Sequence, residues 1–199
     1  QALSPQFIAV LLWNAVMGVT TYFYLSTLSG QLVWLFGSQS MAEKGTEVFS
    51  FMFMVCPFVA VPIIGRIIDR FGTWPSLLVV GLQAALYGGL ASVPVWWLQY
   101  VTWCTFVVTR ASFIAVSAHW VNQMFAENFT TLVGFMWTIG GVANFTNQLW
   151  VYIAIHYFKS NFLIMNIIMT SLAVASTVAA AVLVKMSLGG RRGEHQPID

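Results

Sequence analysis

Charged residues are rare in this chain, and the long uncharged stretches between them limit what it can fold into. Only 14 of the 199 residues are Asp, Glu, Lys or Arg, and none falls in residues 1–42, 48–65, 71–109, 111–126, 128–158 or 160–184. The charged fraction is 7% and the hydrophobic fraction 59%, whereas soluble domains carry about 25% charged residues. The pattern predicts an integral membrane protein and excludes a disordered chain. A net charge of +2 argues against nucleic acid as a partner.

The uncharged stretches provide room for six membrane-spanning helices, since one span needs about 20 mostly apolar residues. The predicted spans cover residues 6–36, 46–68, 75–93, 95–120, 130–157 and 161–185. Pro94 separates the third span from the fourth, and Pro57 and Pro62 predict a kink in the second. We therefore expect an all-α membrane protein with a six-helix transmembrane bundle over residues 1–188 and a polar C-terminal tail over residues 189–199.

The basic residues predict which side of the membrane each end occupies. Six spans place both ends on the same side, and cytoplasmic segments carry an excess of Lys and Arg. Five basic residues fall on the side of the two ends and two on the other side: Arg66, Arg70, Lys185, Arg191 and Arg192 against Lys44 and Lys159. We expect both ends in the cytoplasm or its equivalent, and the sequence does not specify which membrane.

A compact charged motif, Gly65-Arg66-Ile67-Ile68-Asp69-Arg70-Phe71-Gly72, follows the second predicted span. We expect it to form the tight loop between the second and third helices, where glycines would allow two helices to approach and turn. One interpretation is a basic loop that only fixes topology. The string is also similar to the G-x-x-x-D-R-x-G loop of the major facilitator superfamily. That resemblance implies a conformational role for Gly65, Arg66, Asp69, Arg70 and Gly72.

A second region extends the resemblance. Arg110-Ala111-Ser112-Phe113 leads into Met124-Phe125-Ala126-Glu127-Asn128-Phe129 and Leu132-Val133-Gly134-Phe135. These stretches resemble the tenth-to-eleventh helix region of the L-type amino acid transporters, solute carrier family forty-three, and their protozoan relatives. Ala126 and Thr130 depart from that pattern, which has proline and glycine there.

The resemblance implies the C-terminal half, helices seven to twelve, of a secondary carrier. It implies a partner six-helix half in the same or another chain and alternating access for a small polar solute, with a neutral amino acid expected. It also implies that Asp69 lies near the start of the helix at Thr130–Thr131.

Arg110 is the charge that the membrane interior has to accommodate. Arg in hydrocarbon costs at least ~2.5–3.5 kcal/mol on insertion scales. It is either an anchor for a solute carboxylate or a structural residue bound to helix-end carbonyls or to Asp69. Polar residues that could accompany it in a solute site are Asn14, Thr21, Thr109, Asn144, Asn147 and Gln148. Polar side chains in spans also hold helices together, which is the alternative for each of them.

Two other classes of function are alternatives to transport. A half carrier alone lacks an opposing wall for its cavity, so the chain could instead be a non-transporting, structural subunit of a larger membrane complex. An enzyme is not expected, because the spans contain no acid pair and no nucleophile beside a base. Cys56 and Cys104 have no disulfide or metal spacing and are expected to be buried apolar side chains. The sequence predicts no cofactor and no metal site.

Overall fold

The computed structural model describes residues 4–193, with side chains through residue 186, and the described chain is helical throughout. The elements, in chain order, are α1 (Pro5–Phe36), α2 (Gln39–Phe71), α3 (Thr73–Leu90), α4 (Trp96–Phe125), a 3₁₀ turn (Ala126–Asn128), α5 (Phe129–Asn144), α6 (Asn147–Tyr152), a π-helical turn (Ile153–Tyr157) and α7 (Phe162–Gly193). The all-α class is therefore confirmed.

Local capping explains the turn between α1 and α2. Gly37 adopts a left-handed conformation with φ 63°, and its N–H donates to the Val33 carbonyl at 2.8 Å. Ser38 then caps α2, because its Oγ accepts from the Met41 N–H at 3.4 Å. The second helix consequently begins at Gln39, seven residues before the predicted start at 46. Pro57 and Pro62 lie within α2 and do not end it.

Side-chain pairs show the relative directions of the packed helices. α1 runs antiparallel to α4, as Phe7 contacts Phe125 near one end and Phe36 contacts Trp96 near the other. α3 runs antiparallel to α7, as Lys185 lies over the Trp74 ring. The start of α1 and the end of the described side chains in α7 meet at one end of the bundle, where Pro5, Gln6, Leu183 and Val184 border one groove. Which side of the membrane this end faces stays a prediction.

Four segments of the described chain are long and apolar enough to cross a bilayer: Pro5–Phe36, Gln39–Phe71, Trp96–Tyr157 and Phe162–Met186. The predicted count of six is wrong by this criterion. α3 is only 18 residues long and includes Thr73, Ser76 and Gln83, which lower its hydropathy. The fourth and fifth predicted spans merge into one run of 62 residues, because the link between them is itself a helical turn.

The 62-residue run nevertheless folds back on itself. Phe7 of α1 stacks on Phe135 of α5 and makes an edge-to-face contact with Phe125 of α4. Later residues of α1 contact a later part of α5 but an earlier part of α4. Gly18 lies against Asn144 of α5, and Tyr24 contacts Phe106 of α4. The chain therefore reverses at Ala126–Asn128, and α5 runs parallel to α1. Together these helices describe a helical, multi-pass membrane protein.

The boundary between bundle and tail was predicted at residues 188 and 189. α7 runs through Gly193, so this boundary falls inside a helix. The rest of the predicted tail, residues 194–199, lies outside the described residues.

Candidate functional site

A small cavity lies between α1, α4 and α5 and is partly open, since Tyr22 and Trp137 on its wall are exposed. Its volume is about 120 Å³. The side chains and backbone around it combine one guanidinium, two amides, a phenol, glycines and apolar groups: Asn14, Gly18, Tyr22, Arg110, Phe113, Ile114, Trp137, Gly140, Gly141 and Asn144. Three of the seven predicted solute-binding residues, Asn14, Arg110 and Asn144, thus meet at one place.

Arg110 lies near the middle of α4, about 20 Å along the helix axis from either end at 1.5 Å per residue. Its guanidinium carbon is 4.9 Å from the centroid of the Phe53 ring and 6.0 Å from that of Tyr22. These cation–π contacts stabilise the charge by roughly 0.5–2 kcal/mol each. Among the described residues, no carboxylate forms a salt bridge with Arg110, so the alternative of an ion pair with Asp69 is not observed.

A second cavity lies on the other side of Arg110, between α2 and α4. Its volume is about 370 Å³, and Phe53, Pro57 and Val61 of α2 line it together with Arg110. The guanidinium therefore borders two spaces, one largely apolar and one polar. An arginine in this position can hydrogen-bond a planar anion in two-point fashion while its remaining face stays on aromatic rings.

Asn14 is held by close packing of α1 against α4 and α5. It is only 2% exposed, and the Ser117 hydroxyl lies 3.4 Å from its Oδ1. A Cβ placed on Gly140 would be 2.9 Å from Asn14 Nδ2, and one on Gly18 would be 3.3 Å from Asn144 Oδ1. Glycine at both positions is what lets the two amides sit against neighbouring backbone.

The helix that was predicted to span residues 130–157 is interrupted beside the cavity. α5 ends at Asn144 and α6 begins at Asn147, with the Thr146 hydroxyl donating to the Ala143 carbonyl at 2.7 Å. The prediction of one continuous helix is wrong. Gln148, a predicted solute-binding residue, lies beyond this interruption and is exposed.

Asn147, the first residue of α6, hydrogen-bonds to α1. Its Nδ2 donates to the Ser26 hydroxyl at 3.0 Å and to the Tyr22 carbonyl at 3.5 Å. Asn147 is 8% exposed. The side-chain oxygens of Asn144 and Asn147 are buried, and neither has a hydrogen-bond partner within the described part of the chain. Such oxygens are costly in a membrane interior unless a donor reaches them.

Two predicted binding residues point away from the cavity. Thr21 and Thr109 are both 0% exposed. Their hydroxyls donate to carbonyls of their own helices, Thr21 to Met17 and Thr109 to Thr105, each at 2.7 Å. Their hydroxyls are thereby satisfied inside the bundle.

The sequence did not predict several residues of the cavity wall, among them Gly18, Tyr22 and Trp137. These residues carry neither a charge nor an amide, which were the features used to select candidates. The adjacent pair Gly140-Gly141 was the available signal. Two glycines in the middle of an apolar helix lower its helix propensity and indicate close approach of another element or of a ligand.

The motif at residues 65–72 is helical rather than a loop. Gly65, Arg66, Asp69 and Arg70 lie in the last two turns of α2, and Gly72, at φ 77°, is the single residue between α2 and α3. No atom lies within 4 Å of a Cβ placed on Gly65, so the idea that this glycine permits a close helix approach is wrong. Arg66, Asp69 and Arg70 are exposed, and the proposed approach of Asp69 to Thr130–Thr131 stays a prediction.

Cys56 of α2 and Cys104 of α4 are partly exposed and lie side by side at a third cavity. Both side chains line this cavity, one from each helix. The prediction that both side chains are buried is therefore wrong, since each is partly exposed. The parallel packing of α2 and α4 places these two positions, distant in sequence, at the same cavity.

Comparison with known proteins shows a distant relationship. No protein-family model matches the chain. The chain is similar to Protein FMP42 of Saccharomyces cerevisiae, with 23% identity over 155 residues, which cover 75% of this chain and 30% of that protein. The chain thus spans about a third of the length of the relative it matches.

Proposed function

We propose that this chain is part of a secondary carrier of the major facilitator type, corresponding to its C-terminal half, helices seven to twelve. The carrier would move a small polar solute, a neutral amino acid, by alternating access. The observation that carries the proposal is Arg110, near the middle of a long helix and without an ion-pair partner in the described part of the chain. It lies beside a polar cavity that Asn14 and Asn144 also line.

In this proposal Arg110 holds the carboxylate of the solute. Its two-point geometry suits a carboxylate better than a single ammonium donor would. Asn14 and Asn144 offer hydrogen bonds to the rest of the solute, and Asn147 positions the end of α5 against α1. Uncharged amides in the site favour a neutral side chain on the solute over a charged one.

The cavity volume supports a partner half. At about 120 Å³, it is smaller than the ~300–1,000 Å³ typical of ligand pockets. A second bundle facing α1, α4 and α5 would enclose the missing space, and rocking of the two bundles would open the site to each side in turn. The greater length of Protein FMP42, of which the chain covers 30%, is consistent with a second bundle in the same polypeptide.

The charged end of α2 would bias the two conformations. Arg66, Asp69 and Arg70 are exposed at the end of the bundle where α2, α3 and α4 meet. In the proposal this end faces the cytoplasm, as the excess of basic residues predicts. A carboxylate there can favour the start of a neighbouring helix.

Uptake of labelled amino acids by the full-length protein in proteoliposomes tests the proposal. We expect uptake of a neutral amino acid in wild type, with Arg110→Ala raising KM about 10–100-fold, as loss of a charge-assisted hydrogen bond of roughly 1.5–3 kcal/mol requires. Thr109→Ala is the matched control, because Thr109 lies on the same helix but away from the cavity. Absence of uptake for every amino acid, with the protein correctly inserted, would favour a structural subunit of a larger complex.

A further inference from the structure

The third cavity, which Cys56 and Cys104 line, is an apolar groove along the outside of α2. It lies where this helix separates from α3 and α4. Its volume is about 420 Å³. One stripe of α2 lines it, with Val55, Val59, Ile63 and Ile67 at intervals of four residues, and Gln83 and Cys104 close the far wall. Val59 is 64% exposed and Ile63 55% exposed, so the groove is open on the outer surface of the bundle.

The length of the groove matches one leaflet of a bilayer. From Val55 to Ile67 is twelve residues, or about 18 Å along the helix axis. Half of the hydrocarbon core of a bilayer is about 15 Å thick. A hydrocarbon chain lying parallel to α2 would therefore extend along the groove from the middle of the membrane to its surface.

Two arginines stand where the groove meets the membrane surface. Arg70 and Phe71 lie one turn beyond Ile67 on the same stripe, and Arg66 lies one turn before Arg70. All three are exposed, and the Arg70 guanidinium is stacked at 5.5 Å from the Phe71 ring centroid. Asp69 on the same turn leaves this segment with one net positive charge. An anion at this level would meet two guanidinium groups able to bind phosphate oxygens.

From this continuity of an apolar groove with a basic end, we propose that α2, α3 and α4 bind an anionic glycerophospholipid. One acyl chain lies in the groove between Val55 and Ile67, and the phosphate contacts Arg66 and Arg70. The proposal does not depend on solute transport. It assigns a lipid site to the same end of α2 that carries the charged motif.

Binding of defined lipids to the detergent-purified full-length protein, measured by native mass spectrometry, tests the site. Dioleoyl phosphatidylglycerol and dioleoyl phosphatidylcholine have the same acyl chains and differ in net charge. We expect wild type to prefer the anionic lipid, and the double variant R66Q/R70Q to bind it about thirtyfold more weakly, at about 1 kcal/mol per basic residue. Lys44→Gln, at the other end of α2, should leave the preference unchanged.

A second variant separates the groove from the charges. Val59→Trp places a large ring in the groove at a position exposed enough to accept it, and we expect it to weaken binding of both lipids. Equal binding of the two lipids to wild type would overturn the proposal. So would an unchanged preference in R66Q/R70Q, or unchanged binding of both lipids to Val59→Trp.

Discussion

Gly140 should be a glycine of α5 at which alanine brings no gain in stability, in contrast to Gly134 of the same helix. A Cβ at residue 140 would lie 2.9 Å from Asn14 Nδ2, about half an ångström inside an ordinary contact, whereas one at Gly134 would have no atom within 4 Å. Alanine gains roughly 1 kcal/mol over glycine in a helix, and overpacking of a buried site costs roughly 1–3 kcal/mol. Gly134→Ala should therefore stabilise the protein, and Gly140→Ala should destabilise it or leave it nearly unchanged.

Gly140→Ala should also weaken the proposed solute binding, because Asn14 lines the cavity beside Gly140. Thermal unfolding in detergent measures the stability difference between the two variants, and uptake kinetics measure KM for each. We expect a raised KM for Gly140→Ala and a wild-type KM for Gly134→Ala. If the two variants share one unfolding temperature and one KM, the close approach of Asn14 to α5 has no energetic weight and the reasoning is refuted.

Two further predictions concern helix packing. Gly88 of α3 abuts the Thr170 side chain of α7, so Gly88→Ala should lower the unfolding temperature, and adding Thr170→Ala should restore most of the loss; failure of that rescue would contradict the contact. Cys56 of α2 and Cys104 of α4 line the same cavity, so a membrane-permeant two-electron oxidant should join the two thiols in a disulfide and remove both from maleimide labelling in the denatured protein. Cys56→Ser should leave the Cys104 thiol labelled after the same treatment, and continued labelling of both thiols in oxidised wild type would contradict the packing.

Charge spacing predicted the helical class because it reflects a local cost, the transfer of charge into hydrocarbon. Helix starts were less predictable, as α2 shows. Glu43 and Lys44 suggested a loop, but a helix end projecting beyond the hydrocarbon tolerates charges, and the Ser38 cap decides where α2 begins. Likewise, Gly65 was predicted to lie in the loop between two helices, yet α2 continues through it to Phe71.

The candidate site was only partly predictable for a related reason. Arg110, Asn14 and Asn144 stood out because polar groups in a membrane interior require a partner. Thr21 and Thr109 stood out equally, but a hydroxyl can satisfy itself on its own helix, which sequence alone does not reveal. Gln148 lies beyond the interruption at residues 144–147, where Asn147 hydrogen-bonds Ser26 of α1, a contact 121 positions apart in sequence.

The energetics of Arg110 connect the sequence to the proposed activity. Placing it in the membrane costs at least ~2.5–3.5 kcal/mol, and two cation–π contacts, one of them at the long distance of 6.0 Å, return only part of that cost. The described chain supplies no anion to offset the remainder. A solute carboxylate that enters the cavity therefore gains an interaction that the empty protein lacks. That differential interaction is what a carrier needs for its solute to bind in one conformation and leave in another.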